Sequence, residues 1–69
     1  MQTVRKQLII PADMDRKLAE IAEDSGTTSS EVVRRALTLY MLAVERRSQG
    51  MRLGFASKGA PLETEVVGI

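Results

Sequence analysis

Residues 3–10 predict a short β-strand, because β-branched and aliphatic side chains are frequent in this run and Pro11 ends it. Side chains on a strand alternate between two faces. The more apolar face, which we expect to pack on a core, comprises Val4, Lys6, Leu8 and Ile10. The opposite face comprises Thr3, Arg5, Gln7 and Ile9. Such a strand cannot stand alone, and its nearest candidate partner is the same strand of a second copy.

Residues 11–25 predict an amphipathic helix. Pro11 suits a first helical turn, and two aspartates, Asp13 and Asp15, follow where the helix dipole favours negative charge. The helix should end before Gly26, which can adopt the left-handed conformation of a C-cap. A single apolar stripe runs along it at helical spacing and comprises Met14, Leu18, Ile21 and Ala22.

Residues 28–48 predict a second, longer helix. Thr28 and Glu31 have the spacing of a capping box, in which two side chains satisfy two free backbone N–H groups at the helix start. In a chain this short, only another subunit can cover a helix that is apolar on most sides. Its apolar residues are Val32, Val33, Ala36, Leu37, Tyr40, Met41 and Val44, with Leu39, Leu42 and Ala43 extending the stripe.

Residues 51–69 differ from the helical region. Short runs of alternating apolar and polar residues lie on both sides of the turn-forming residues 57–61, which predicts a β-hairpin. A disordered tail that becomes ordered on a partner is the alternative. We therefore expect two parts, residues 1–50 and a C-terminal extension of residues 51–69.

Composition limits how this chain can be stabilised. Its 69 residues contain no Cys and no His, which excludes disulfides, thiolate zinc sites and imidazole metal ligands. A domain of this size is marginal without such help, so we expect a dimer or a higher assembly. No run approaches the roughly 20 apolar residues of a membrane span, and no signal peptide is evident. We expect a cytoplasmic protein with no cofactor, no metal and no membrane association.

The charge is unevenly distributed, although the net charge is only +1. Residues 1–10 and 27–50 carry a net charge of +2 each, whereas residues 11–26 carry −3. A dimer would double any patch that the two basic segments form together, and such a patch attracts an anionic partner.

The order strand, helix, Gly turn and capped helix resembles the ribbon-helix-helix family of DNA-binding repressors. The resemblance covers residues 3–47. It rests on the strand end Leu8-Ile9-Ile10-Pro11, the first-helix residues Leu18, Ile21 and Ala22, Gly26, the cap Thr28-Ser29-Ser30-Glu31, and Val32, Val33, Ala36 and Leu37. It implies a mainly α fold with a short N-terminal strand. Two copies would intertwine into a dimer, with the two strands paired antiparallel as a β-ribbon.

The resemblance also implies how such a dimer would bind double-stranded DNA. A two-stranded ribbon fits the major groove, where each base pair presents a distinct pattern of donors and acceptors. Arg5 would contact guanine, Gln7 adenine and Ile9 a thymine methyl, with Thr3 as a further base contact. Lys6 and the start of the second helix, at Thr28, Ser29 and Ser30, would hold phosphates. The implied dimer core comprises Leu8, Ile10, Leu18, Ile21, Val33, Ala36, Leu37 and Tyr40.

Three functions are compatible with these features. The first is a sequence-specific transcriptional repressor acting as a dimer. The second is an antitoxin that binds its operator with residues 1–50 and a toxin with the extension, which could instead join dimers into tetramers. The third is an oligomerisation adaptor with Ile9 in a protein interface. An enzyme is not expected, because scattered acids, serines and lysines on short amphipathic elements do not form a catalytic pocket.

Overall fold

The computed structural model describes residues 2–69. Four elements follow in order: helix α1, Ala12–Asp24; helix α2, Ser29–Ser48; strand β1, Gly54–Phe55; and strand β2, Thr64–Glu65. The chain divides into two compact units, of which the first ends at Arg34 and the second extends from Arg35 to Ile69. The predicted helices over residues 11–25 and 28–48 are therefore confirmed to within one residue at each end.

Helix α1 begins one residue later than predicted. Pro11 is the N-cap rather than the first helical residue, since its ψ of 145° is not helical. Its carbonyl oxygen nevertheless accepts the first hydrogen bond, from the Asp15 N–H at 2.9 Å. Proline loses nothing in this position, because the N–H that it lacks would have no partner inside the helix.

Both helices end in the same glycine-dependent cap. Gly26 has a φ of 66° and Gly50 a φ of 83°, the left-handed region that residues with a Cβ rarely adopt. After α1, Gly26 N–H donates to the Glu23 carbonyl and Thr27 N–H to the Ala22 carbonyl. The residues after α2 repeat this pair of bonds, which is the Schellman motif. The predicted role of Gly26 is confirmed.

Residues 51–69 contain the predicted hairpin. Strands β1 and β2 pair antiparallel, with Gly54 opposite Glu65 and Phe55 opposite Thr64. Two flanking bonds extend the ladder, from the Glu63 N–H to the Phe55 carbonyl at 2.8 Å and from the Val66 N–H to the Leu53 carbonyl at 2.7 Å. A Cβ on Gly54 would lie only 2.9 Å from the Thr64 carbonyl carbon, so this position requires glycine.

Residues 2–10 form no regular secondary structure in the single chain, so the predicted strand over residues 3–10 is not seen. Paired hydrogen bonds with a neighbour define a strand, and the neighbour predicted here is the same segment of a second copy. The strand stays a prediction that only the dimer can display.

Very little of the single chain is shielded from water. Among the described residues only Ala22 and Ala43 are buried hydrophobic side chains. Large apolar side chains remain open on both units, and Ile9, at 102%, is fully exposed. A chain without a core of its own gains little hydrophobic stabilisation, at about 25 cal/mol per Å² of buried apolar area. That a second copy supplies the missing cover stays a prediction.

Candidate nucleic-acid interface

A groove in the first unit is lined by residues of the N-terminal segment, of α1 and of the start of α2. Its volume is about 310 Å³. The polar residues that line it are Lys6, Ser29, Ser30 and Asp15. Its apolar walls are Leu8, Ile10, Leu18 and Val33. Three of the four residues predicted to hold phosphate, and four of those predicted for the dimer core, therefore border one groove.

The start of α2 presents the backbone groups that an anion requires. Glu31 N–H donates to the Thr28 hydroxyl at 3.2 Å, which identifies Thr28 as the cap. The first N–H groups of a helix have no intrahelical carbonyl to bind, so those of Ser29 and Ser30 remain available. The helix dipole adds a partial positive charge at the same place. Ser29 is half-buried and Ser30 is exposed, so a ligand can approach this turn.

The carboxylate of Glu31 takes part in an ion pair on the first turns of α2. It accepts a hydrogen bond from Arg34 Nε at 2.9 Å and a second one from Arg34 Nη2. This hydrogen bonding, and then the attraction between the two charges, raises the pKa of the Arg34 guanidinium. One half of the predicted capping box, the bond to the Thr28 hydroxyl, is confirmed. The ion pair between Glu31 and Arg34, at i,i+3, was not predicted from the sequence.

Asp15 is an unexpected member of the groove. From the sequence we expected it only to favour the N-terminal end of the α1 dipole, yet it lines the groove together with Lys6 and the start of α2. A carboxylate near a phosphate raises the free energy of binding, and near Lys6 it attenuates the positive potential. The position of Asp15 at the fourth residue after Pro11 gave no sequence signal for this role.

The predicted base-contacting residues are all exposed. In the part of the chain that the structure describes, no hydrogen bond or ion pair is found for the side chains of Arg5 and Gln7. Ile9 is the most exposed large apolar residue. These side chains of the predicted face, Thr3, Arg5, Gln7 and Ile9, are thus free to meet a partner.

The rest of the predicted dimer core lies open in the single chain. Ile21 is 44% exposed and Leu37 is 52% exposed, so neither side chain is buried within the single chain. Ala36 and Tyr40 are exposed as well. The side chains follow the spacing of one helical face on each of α1 and α2. No buried alternative core accounts for them among residues 2–69.

The order of these elements matches a known family model. The model of the ribbon-helix-helix proteins of the copG family matches residues 7–43, which is more than half of the chain. The chain belongs to the copG family of ribbon-helix-helix proteins. The matched stretch includes Gln7, Ile9, both helix starts and most of α2, whereas Thr3, Arg5 and Lys6 lie just before it.

Ribbon-helix-helix proteins are generally DNA-binding transcription regulators or antitoxins, and they bind DNA as dimers. Searches among curated proteins and among solved structures found no match. No helix within residues 2–69 is long and apolar enough to cross a bilayer. The same residues contain no cluster of three or more acidic side chains that could hold a metal ion.

Proposed function

We propose that this ribbon-helix-helix protein is a sequence-specific transcriptional regulator of the repressor type that acts as a homodimer. In the dimer, the segments at residues 3–10 pair antiparallel into a ribbon that enters the major groove. The observation that carries the proposal is the groove that Lys6 shares with Ser29 and Ser30, within a chain of a DNA-binding family. A cation and free helix N–H groups together form a phosphate-binding arrangement.

Sequence recognition is assigned to the exposed face of the paired segments. Arg5 suits the two acceptors of guanine, and Gln7 suits the donor and acceptor of adenine. Ile9 and Thr3 complete the face, with Ile9 suited to a thymine methyl group. Two copies related by a twofold axis present this set twice, which predicts an operator with inverted half-sites.

Phosphate contacts would orient the dimer rather than select the sequence. Lys6, with Thr28, Ser29 and Ser30 at the α2 start, holds a backbone phosphate on each side of the ribbon. Such contacts form with a duplex of any sequence, because every base pair has the same phosphate backbone. They determine how deeply and in which register the ribbon enters the groove. The proposed dimer core, Leu8, Ile10, Leu18, Ile21, Val33, Ala36, Leu37 and Tyr40, holds the two copies in this geometry.

Fluorescence anisotropy with duplexes from the gene's own upstream region tests the proposal. Arg5→Ala and Gln7→Ala should each weaken specific binding about 5- to 150-fold, the equivalent of about 1–3 kcal/mol for a bidentate base contact. Lys58→Ala and Gln49→Ala make similar changes at exposed positions outside the groove and should leave the affinity unchanged. If Arg5→Ala and Gln7→Ala bound this DNA as tightly as the parent chain does, the ribbon would not be the element that contacts the bases.

A second candidate function is that of an antitoxin, and the folded hairpin favours it. Phe55 lies on β1 with 70% of its surface exposed, and both strands of the two-stranded sheet have an open edge. An open edge can accept a strand from a protein partner. Co-expression with the product of a neighbouring small gene tests this function. Deleting residues 51–69 should abolish neutralisation of that product and spare DNA binding.

A further inference from the structure

The second unit contains an apolar depression that α2 and the C-terminal extension line together. Its volume is about 240 Å³. Four of its residues belong to α2 and two to the extension, namely Ala36, Leu39, Tyr40 and Ala43, with Leu53 and Ile69. None of these six residues is charged, so the α2–extension depression suits an apolar partner.

The depression is continuous with the surface that we propose for the dimer. Ala36 and Tyr40 line the depression and also belong to the proposed dimer core. At about 100° per residue, Tyr40 lies about 60° from Leu37 on the helix surface. Leu37, Met41 and Val44 extend the same face and are 52%, 63% and 44% exposed. A partner helix that covers the proposed dimer core therefore also reaches the edge of the depression.

Hydrogen bonds hold the extension in this position. The Val66 N–H donates to the Leu53 carbonyl at 2.7 Å, which fixes Leu53 within the hairpin. Arg47 Nη2 donates to the Ile69 carbonyl oxygen at 3.0 Å, which joins the extension to α2. Leu53 is half-buried, and Ala43, in the same depression, is buried. Because the extension is already positioned on α2, a partner would bind it with little further loss of conformational entropy.

A second copy of the chain is the partner that fits this surface. In a twofold dimer the same patch of both copies meets, so each copy offers the depression and, next to it, the exposed aliphatic side chains of α2. Permanent interfaces between identical chains are more apolar than those between transient partners. Ribbon-helix-helix proteins bind DNA as dimers, which requires such an interface.

We propose that residues 51–69 form part of the dimer interface. Leu53 and Ile69 of each copy enlarge the dimer core, and α2 of the second copy packs against the depression that they complete. The proposal rests on the homodimer of the proposed function. It assigns to the extension a role that needs neither DNA nor a different protein, namely to add apolar surface to a chain that has almost no core of its own.

Dilution of the full chain tests this role. Tyr40 is the only tyrosine and the chain has no tryptophan, so tyrosine emission reports on the depression as dimers dissociate. Sedimentation equilibrium over the same concentrations gives the dissociation constant. Leu53→Ala and Ile69→Ala should each raise this constant about tenfold or more, because each removes an apolar contact from both copies. Leu62→Ala makes the same change as Leu53→Ala at a hairpin residue outside the depression and should leave the constant unchanged.

Opening of the hairpin would also weaken the dimer, so two checks separate this effect from a lost contact. The Glu63 and Val66 amides, which donate across the hairpin, should keep their protection from hydrogen exchange in Leu53→Ala. Leu53→Met nearly conserves the apolar volume and should dimerise like the parent chain. At concentrations that keep the variants dimeric, their DNA affinity should equal that of the parent, since no DNA contact is proposed for the extension.

Dimers of one isotope-labelled and one unlabelled copy show the contact directly. An isotope-filtered NOE experiment should connect the Leu53 methyl groups of one copy to α2 of the other. The proposal is overturned if Leu53→Ala dimerises as tightly as the parent chain, if Leu62→Ala weakens the dimer equally, or if Leu53 shows no contact with the second copy. Each of these results would leave the homodimer itself intact, whereas a parent chain that stays monomeric would overturn both.

Discussion

Glu31 N–H donates to the Thr28 hydroxyl at 3.2 Å and thereby closes the first turn of α2. This bond satisfies one of the four N–H groups that a helix start leaves free. The two residues before Glu31, Ser29 and Ser30, also have free N–H groups and line the same groove as Lys6. One capped turn thus provides the local stability of α2 and the backbone donors of the proposed phosphate site.

Replacing the cap should lower stability and DNA affinity together. Thr28→Ala removes the hydroxyl acceptor and should cost about 1 kcal/mol of unfolding free energy. Thr28→Ser keeps the hydroxyl and should behave like the parent chain in both assays. Urea unfolding measures the stability, and anisotropy with upstream DNA measures the affinity. Full stability of Thr28→Ala would contradict the role of the hydroxyl.

Removing the groove carboxylate should strengthen DNA binding. Asp15→Asn keeps the size of the side chain and removes its repulsion of a phosphate bound near Lys6. At an exposed groove the expected gain is about 1.4- to fivefold, because screening by solvent limits such interactions to about 0.2–1 kcal/mol. Asp24→Asn, at the other end of α1, serves as the control. An unchanged or lower affinity of Asp15→Asn would contradict a phosphate in this groove.

The salt dependence of the DNA affinity should show whether Lys6 contacts a phosphate. Each phosphate contact contributes about −0.9 to the slope of log K against log salt concentration. A dimer of Lys6→Gln loses two such contacts, so its slope should be less steep by about 2 than that of the parent dimer. Lys58→Gln removes the same charge from the hairpin turn and should leave the slope unchanged. Identical slopes for the parent and Lys6→Gln would show that Lys6 binds no phosphate.

Folding should depend on the second copy. Leu37 is half-exposed in the single chain. If a second copy buries it, Leu37→Ala should lower the free energy of unfolding by about 2–5 kcal/mol, as is typical of a core leucine. Leu62→Ala, in the hairpin, should cost less, because no dimer contact is proposed for it. Thermal unfolding measures both variants. The Tm of the parent chain should also rise with protein concentration, and a Tm independent of concentration would contradict the obligate dimer.

The hairpin should depend on Gly54. Gly54→Ala places a methyl group against the Thr64 carbonyl and should break the β1–β2 pairing. Hydrogen exchange of the Glu63 and Val66 amides, which donate to the opposite strand, should then become about tenfold faster or more. Ala56→Ser, two residues along, should preserve the protection. Undisturbed protection in Gly54→Ala would require a different register for the hairpin.

The local elements could be predicted from the sequence because their signals are local. Apolar spacing defined the two helices, Gly26 defined the end of α1, and turn residues defined the hairpin. The bounds differ by one residue at Pro11 because proline is accepted both as a cap and as a first helical residue.

Features that depend on distant groups could not be predicted in this way. Nothing in the sequence pattern indicated that Asp15 and Lys6 would line one groove, because they are nine residues apart and belong to different segments of the chain. A cleft in the second unit is lined by Leu39 and Leu42 of α2 together with Leu53, which lies beyond the end of that helix. The strand predicted at residues 3–10 needs the same segment of a second copy as its pairing partner, so a single chain cannot display it.

Replacing single guanines of the operator tests whether Arg5 contacts a guanine base. Once the protected operator is known, 7-deazaguanine can replace each guanine in turn, which removes the N7 acceptor that Arg5 is proposed to bind. Fluorescence anisotropy then gives the affinities of the parent dimer and of Arg5→Ala for the unmodified operator and for each substituted operator. We expect one substitution per half-site to weaken DNA binding by the parent dimer about tenfold and to leave DNA binding by Arg5→Ala unchanged. If every substituted guanine lowered the DNA affinities of the parent dimer and of Arg5→Ala equally, base recognition by Arg5 of the ribbon would be contradicted.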